Sequence, residues 1–155
     1  MHDTFRTFTE NLHPKFEALM RMAPAKGVLP YEVRGSGIYL FSEEGRHLYV
    51  GRTRDVRRRY GQHSRPSSKH NTAPFAFKLA REATGILLAD YTAGGRGRVA
   101  LSAEAEFSAA FATALARVRN MEFRFVEEPD PTRQCLLEVY VSVVHSTPYN
   151  DFDTH

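Results

Sequence analysis

Tryptophan is absent from this 155-residue chain, and cysteine occurs once, at Cys135. A single thiol excludes an internal disulfide and any zinc site built from cysteines. It fits a reducing cytoplasm. No apolar run approaches the roughly 20 residues a membrane-spanning helix needs, so no membrane span is expected. The N-terminal stretch MHDTFRTFTENLH lacks a basic n-region and an apolar h-region, so no secretion signal is expected and the localisation reads as cytoplasmic. No G-x-G-x-x-G or P-loop pattern follows a predicted strand, which argues against a doubly wound nucleotide-binding fold. Repeats and low-complexity tracts are also missing.

What remains is the composition of one globular domain, with 42% hydrophobic and 25% charged residues. Eleven Phe and seven Tyr are enough to fill one core of this size. The charge is unevenly placed. Residues 51–70 hold Arg52, Arg54, Arg57, Arg58, Arg59, Arg65 and Lys69 against Asp55 alone, a segment of net +6 on a body of net −3. Such a patch suits a polyanion, with nucleic acid the obvious candidate. A solvated helix face is the plainer alternative.

Hydrophobic spacing predicts two helical pieces over residues 3–23, with Pro14 opening the second. Residues 24–35 read as a Pro/Gly connector. Gly37–Phe41 and His47–Gly51 read as strands joined by a longer loop, a β-hairpin. Asp55 is placed to cap a helix running to about Gln62. A polar loop over 64–73 precedes a helix from Pro74 to near Gly85. Ile86–Leu88 reads as a short extended piece and the Arg96–Arg98 stretch as a loop able to touch a nucleic-acid backbone. Ser102 is a plausible N-cap for a helix carrying Phe107, Phe111, Leu115 and Val118. Residues 121–127 alternate as a half-buried strand. Asp130 and Pro131 open a last helix to residue 145, and the tail is polar.

The hairpin and the next helix gather chemistry. Tyr39 and Tyr49 lie near matching ends of adjacent strands, beside Gly51, where backbone can approach a ligand. Arg59 and His63 are four residues apart on one helix face. Glu138 is a carboxylate in the mostly apolar stretch 135–144. With Gln134, Ser142 and His145 it forms a polar stripe, so periodicity alone reads it as a solvated face. By residue type alone, the two tyrosines are equally ordinary strand aromatics.

Gly37-Ile38-Tyr39 and Tyr49-Val50-Gly51, with their tyrosines ten residues apart, resemble the signature of the GIY-YIG nuclease superfamily. Arg59, His63, Glu138 and Asn150 follow in the order that family shows. The resemblance spans roughly residues 35–150 and implies an α+β fold, with a small three-stranded mixed or antiparallel sheet flanked by helices. It implies a divalent-metal-dependent endonuclease, in which Glu138 is the only protein ligand to Mg²⁺ or Mn²⁺. Tyr49 is then the general base or water-orienting group, its phenol lowered by Arg59 and the metal. Arg59 clamps the scissile phosphate. Tyr39 hydrogen-bonds near the attacking water, His63 relays protons or holds Tyr49, and Asn150 holds the metal-site helix or a water. Gly51 and Arg52 stand close to the phosphate. Arg57 and Arg58 read as solvent or backbone-phosphate contacts, and Lys69 and His70 lie in a loop where a further site group can enter. The other histidines show no paired metal-ligand spacing.

The interval from His63 to Glu138 is longer than in a minimal module of this superfamily. The expected layout is therefore an N-terminal helical extension over 1–34 and a nuclease domain over 35–155 with an insertion at about 64–118. That layout is nearest to the restriction-endonuclease-like branch, in which added elements support dimers, so a homodimer on double-stranded DNA is an expected form. A structure-selective repair nuclease, a nucleic-acid-binding module with a weak or partner-dependent site, and a protein-interaction scaffold are the alternatives.

Overall fold

The computed structural model describes residues 1–85 and 104–153. The expectations for Ile86–Leu88, the Arg96–Arg98 loop and the Ser102 cap fall outside that range. β1 (Gly37–Glu43) is the central strand of an antiparallel sheet of order β2-β1-β3, with β2 (Arg46–Thr53) and β3 (Glu122–Glu127) on either side. The sheet is wholly antiparallel rather than mixed.

The β1–β2 connection is tighter than the expected longer loop. Glu43 pairs with Arg46, and only Glu44 and Gly45 lie between them, at φ 50° and 77°. Positive φ at both central positions is what a type I′ two-residue hairpin turn requires. The register then shifts. Ser42 pairs with His47 but Phe41 pairs with Tyr49, so Leu48 is the extra residue of a β-bulge. The bulge resets the alternation along β2. His47 shares a face with Ser42, whereas Tyr49 and Gly51 share the opposite face with Phe41 and Tyr39. Without it, His47 and Tyr49 would point the same way.

Gly37 has a separate structural cause. A Cβ there would run into the Val126 carbonyl oxygen of β3, so only glycine lets the two strands approach.

By contact, the chain divides into two compact units, Met1–Arg59 with Met121–His155, and Tyr60–Asn120. In the first, α1 (Asp3–Thr9) and α2 (Leu12–Arg21) precede the sheet, and α6 (Pro131–His145) follows it. Helix α2 starts two residues before Pro14, which sits inside its first turn where no amide hydrogen bond is lost. Ile38, Leu40, Val50 and Val126 form one sheet face, and Leu19, Leu137 and Val141 cover it from α2 and α6. Asp130 caps α6 by accepting from the Arg133 amide at 2.8 Å. Buried Glu128 anchors the same turn, accepting from Arg133 Nε at 3.0 Å. The connector after α2 adds a bridge to the free edge of β3, where Ala25 and Phe123 exchange amide–carbonyl bonds of 2.8 and 2.9 Å.

Helix α3 (Val56–Ser64) is capped by Asp55, whose Oδ1 accepts from the Arg58 amide at 3.1 Å. It crosses from the first unit into the second. The second unit pairs α4 (Pro74–Thr84) with α5 (Ala105–Arg119) around Phe77 and Phe107, whose rings are 5.2 Å apart. Glu104 occupies the N-cap of α5.

Candidate active site

The tyrosine-bearing face of the sheet carries Tyr39, Phe41, Tyr49, Phe123 and Phe125, a layer of aromatics rather than a second aliphatic core. Tyr39 is packed on both sides. Its ring stacks on Phe123 at 5.8 Å and meets Phe41 edge-on at 5.8 Å. Its partner across β2 is Gly51, and the Tyr39 hydroxyl lies over that glycine so closely that a Cβ at 51 would overlap it. The glycine therefore clears the space the phenol occupies. Tyr39 and Tyr49 are diagonal neighbours, with ring centroids 6.4 Å apart.

Arg59 reaches this pair from the first turns of α3. Its Nε donates to the Tyr39 hydroxyl at 3.2 Å. Hydrogen bonds from Tyr39 and Arg59 also reach Tyr49. Burial nevertheless pushes both phenols up, and the carboxylate of Glu138 adds to the rise; Arg59 opposes it and does not reverse it. The sequence-based expectation that Arg59 helps bring Tyr49 below its ordinary value meets a larger desolvation effect.

Glu138 stands mid-helix on α6, and its side chain is only 18% exposed. The solvated-face reading of its stripe does not hold, because Gln134 and Ser142 are buried on the same line. Burial pushes the Glu138 carboxyl up, and Arg52 pulls it down. Arg52 Nε is 3.3 Å from Glu138 Oε2, while the Arg52 side chain stays half exposed. Arg52 belongs to β2, directly after Gly51, so one short strand segment supplies a phenol, a gap and a guanidinium.

Asn150 works behind the strand. Its Oδ1 accepts from the Val50 amide at 2.9 Å, and its Nδ2 donates to the Val50 carbonyl at 2.7 Å. Thr147 Oγ1 donates to the same Oδ1 at 2.8 Å and lies 2.7 Å from Ser142 Oγ on α6. This buried relay ties the helix of Glu138 to the strand of Tyr49. Ser142 is visible in the sequence as part of the polar stripe; Thr147 leaves no such sign.

Tyr39, Tyr49, Gly51, Arg52, Arg59, Glu138 and Asn150 thus belong to one compact unit. Arg57 belongs there too. Its Nη1 donates to the carbonyls of Pro30 at 2.8 Å and Val33 at 3.0 Å, so it pins the connector. Arg58 is exposed on α3. His63, Lys69 and His70 fall in the Tyr60–Asn120 unit. His63 is buried one turn after Arg59, and Lys69 and His70 line a cavity of about 200 Å³ with Phe107, Ser108 and Phe111.

No curated protein and no solved structure matches the chain. The family model of the GIY-YIG catalytic domain matches residues 35–150, from the glycine before β1 to the asparagine behind β2. That span covers the sheet, the two tyrosines, Arg59 and Glu138, and the chain belongs to the GIY-YIG nuclease family.

Proposed function

We propose that the chain is a divalent-metal-dependent endonuclease that hydrolyses phosphodiester bonds of double-stranded DNA. One observation carries this reading: two buried phenols and a guanidinium meet within reach of a desolvated carboxylate whose cationic partner is a half-exposed arginine. GIY-YIG nucleases generally depend on a divalent metal, and the donor set suits a hard ion. Glu138 offers carboxylate oxygens in a setting that disfavours its lone charge. Among the described residues no cluster of three His, Cys, Asp or Glu side chains is placed to hold a metal. A single carboxylate fits Mg²⁺ or Mn²⁺, which take waters and substrate phosphate oxygens for the rest of their shell. When bound, the ion would neutralise charge building on the phosphate.

The chain's own groups divide the remaining work. Arg59 binds a non-bridging phosphate oxygen and stabilises the pentacovalent transition state, where negative charge grows. Tyr39, fixed by Phe41, Phe123 and the Gly51 gap, holds Arg59 in place and offers its hydroxyl to the phosphate or the water. Tyr49 orients the attacking water. Its phenol is protonated at neutral pH, and its service as general base depends on further positive charge at the site. Arg52, 3.3 Å from Glu138 Oε2, would yield that carboxylate to a bound ion and turn to the DNA backbone. Arg58, Lys69 and His70 add backbone contacts, and His63 serves as proton relay.

The test is incubation of supercoiled plasmid and of branched DNA with the protein in Mg²⁺ or Mn²⁺, followed by end analysis. Discrete plasmid fragments with 5′-phosphate ends support a sequence-specific enzyme of restriction or defence type. Cutting confined to branched DNA moves the assignment to a structure-selective repair nuclease. No cutting of either, in either metal, contradicts the proposal.

A further inference from the structure

A second cavity, of about 370 Å³, opens between the connector and the β3 edge. Met22, Val33 and Phe125 supply its apolar part, and Glu32, Arg34 and Glu127 its exposed polar part. Phe125 is the direct cross-strand partner of Tyr39, on the same sheet face. The cavity wall is therefore two strand spacings, about 10 Å, from Gly51 and Arg52 on β2. A phosphate held at the tyrosines would place an adjoining nucleotide at the mouth of this cavity.

The connector is fixed, not draped. Arg57 holds the Pro30 and Val33 carbonyls, and the Val56 amide donates to Gly35 O at 3.0 Å. It presents Tyr31, 78% exposed, with the Arg34 guanidinium 5.2 Å from the ring centroid. A rigid exposed aromatic paired with arginine is a sequence-tolerant platform for a nucleobase. The two carboxylates of the cavity lining, Glu32 and Glu127, look wrong for a phosphate site. They suit a base edge rich in donors, because a carboxylate accepts from amino and ring N–H groups and repels phosphate oxygens.

We infer that this cavity takes one unpaired guanine of the DNA substrate. Guanine alone among the four bases carries neighbouring N1–H and N2–H₂ donors, the pair a carboxylate at position 32 or 127 accepts. Its O6 and N7 are the acceptors that arginine reads, here Arg34. Its ring packs on Val33 and Phe125. In a duplex the N1–H and N2–H₂ edge is engaged in pairing, so the base enters only when unstacked or single-stranded. This rests on the nuclease reading only for the identity of the polymer.

The test needs no cleavage. The wild-type chain in EDTA is titrated into labelled short oligothymidylates carrying one central guanine, hypoxanthine or thymine, and anisotropy is read. Hypoxanthine differs from guanine only by the missing 2-amino group. The guanine oligomer is expected to bind about tenfold tighter than the other two, the scale of one charge-assisted hydrogen bond. Glu32→Ala/Glu127→Ala should erase that preference and leave the all-thymine affinity unchanged or tighter, since two negative charges beside the strand are removed. Equal affinity for all three oligomers overturns the inference, and so does a preference that survives in the variant. Plasmid cleavage is scored separately. Cutting without a guanine preference contradicts the pocket alone; a guanine preference without cutting contradicts the nuclease assignment alone.

Discussion

At the residue scale the site depends on one missing side chain. The Tyr39 hydroxyl occupies the space a Cβ of residue 51 would fill, so Gly51→Ala must displace the phenol that Arg59 contacts at 3.2 Å. Overpacking of this kind costs about 1–3 kcal/mol of stability. A displacement near 1 Å at reacting groups lowers the rate about a hundredfold. Thermal melts beside initial cleavage rates check both. Glu138 gives a second case. Burial raises its carboxyl above the ordinary value despite Arg52. As pH rises, the unfolded chain therefore loses this proton before the folded one does, and the folded state loses stability across that interval. Removing the charge should relieve the cost, so Glu138→Gln should melt at the same temperature as wild type or higher at neutral pH. On the proposed role, activity has the opposite dependence, because the ionised form would be the ligand. At metal concentrations below saturation its acid limb should lie above the ordinary carboxylate range, since only a bound cation draws the carboxyl back down, and Arg52→Ala should move it higher still. A pH–rate profile of the two proteins decides this.

At the element scale, α6 and β2 are joined at two places besides the Arg52–Glu138 ion pair. Asn150 clasps both backbone groups of Val50 and reaches Ser142 through Thr147. Asn150→Ala leaves buried groups without partners, an expected loss of about 1–3 kcal/mol, with activity falling further because Tyr49 and Glu138 are no longer held in register. Denaturant unfolding beside cleavage separates the two losses. The second join is His47 against His145, ring centroids 4.1 Å apart, with Ser42 Oγ on His47 Nδ1 at 2.7 Å. Burial lowers both imidazoles, and Arg124 lowers both further; His47 also lowers His145, while Glu122 pulls His47 up. The folded state thus resists protons that the unfolded chain accepts. Stability is complete above the unfolded value near 6.5 and declines as pH falls through the lowered values. A His47→Gln/His145→Gln pair should flatten that decline in melts run across the acid range.

The legible parts of the sequence were those with strong local signals. Both strands of the hairpin, the Asp55 and Asp130 caps and the two-piece N-terminal helix follow from alternation, capping chemistry and helical spacing. The bulge at Leu48 is not legible, since nothing in His47-Leu48-Tyr49 marks an extra residue. Its consequence, Tyr49 on the Tyr39 face and His47 on the other, is a product of pairing. Glu138 reads as solvated from periodicity because helical spacing does not tell which neighbour covers the stripe. Arg57 and Arg58 are alike in sequence, and only the connector's carbonyls tell them apart.

At the scale of the whole molecule, the +6 segment over residues 51–70 runs from the end of β2 through α3. Arg57 is engaged internally, so on the proposed reading fewer cations would meet DNA than the run contains. Binding should weaken linearly on logarithmic axes as salt rises, with a slope of about −0.9 for each phosphate neutralised. Arg58→Ala should reduce that slope by about one and Arg57→Ala should not, although the latter loosens the connector. The central claim is that Glu138 serves chemistry rather than DNA affinity or folding. It is tested most directly by measuring cleavage and DNA binding together for wild type and Glu138→Gln in the same Mg²⁺ or Mn²⁺ buffer. Loss of cleavage with binding unchanged or tighter is the expected result, since one negative charge near the phosphate is removed. Normal cleavage by Glu138→Gln would contradict it.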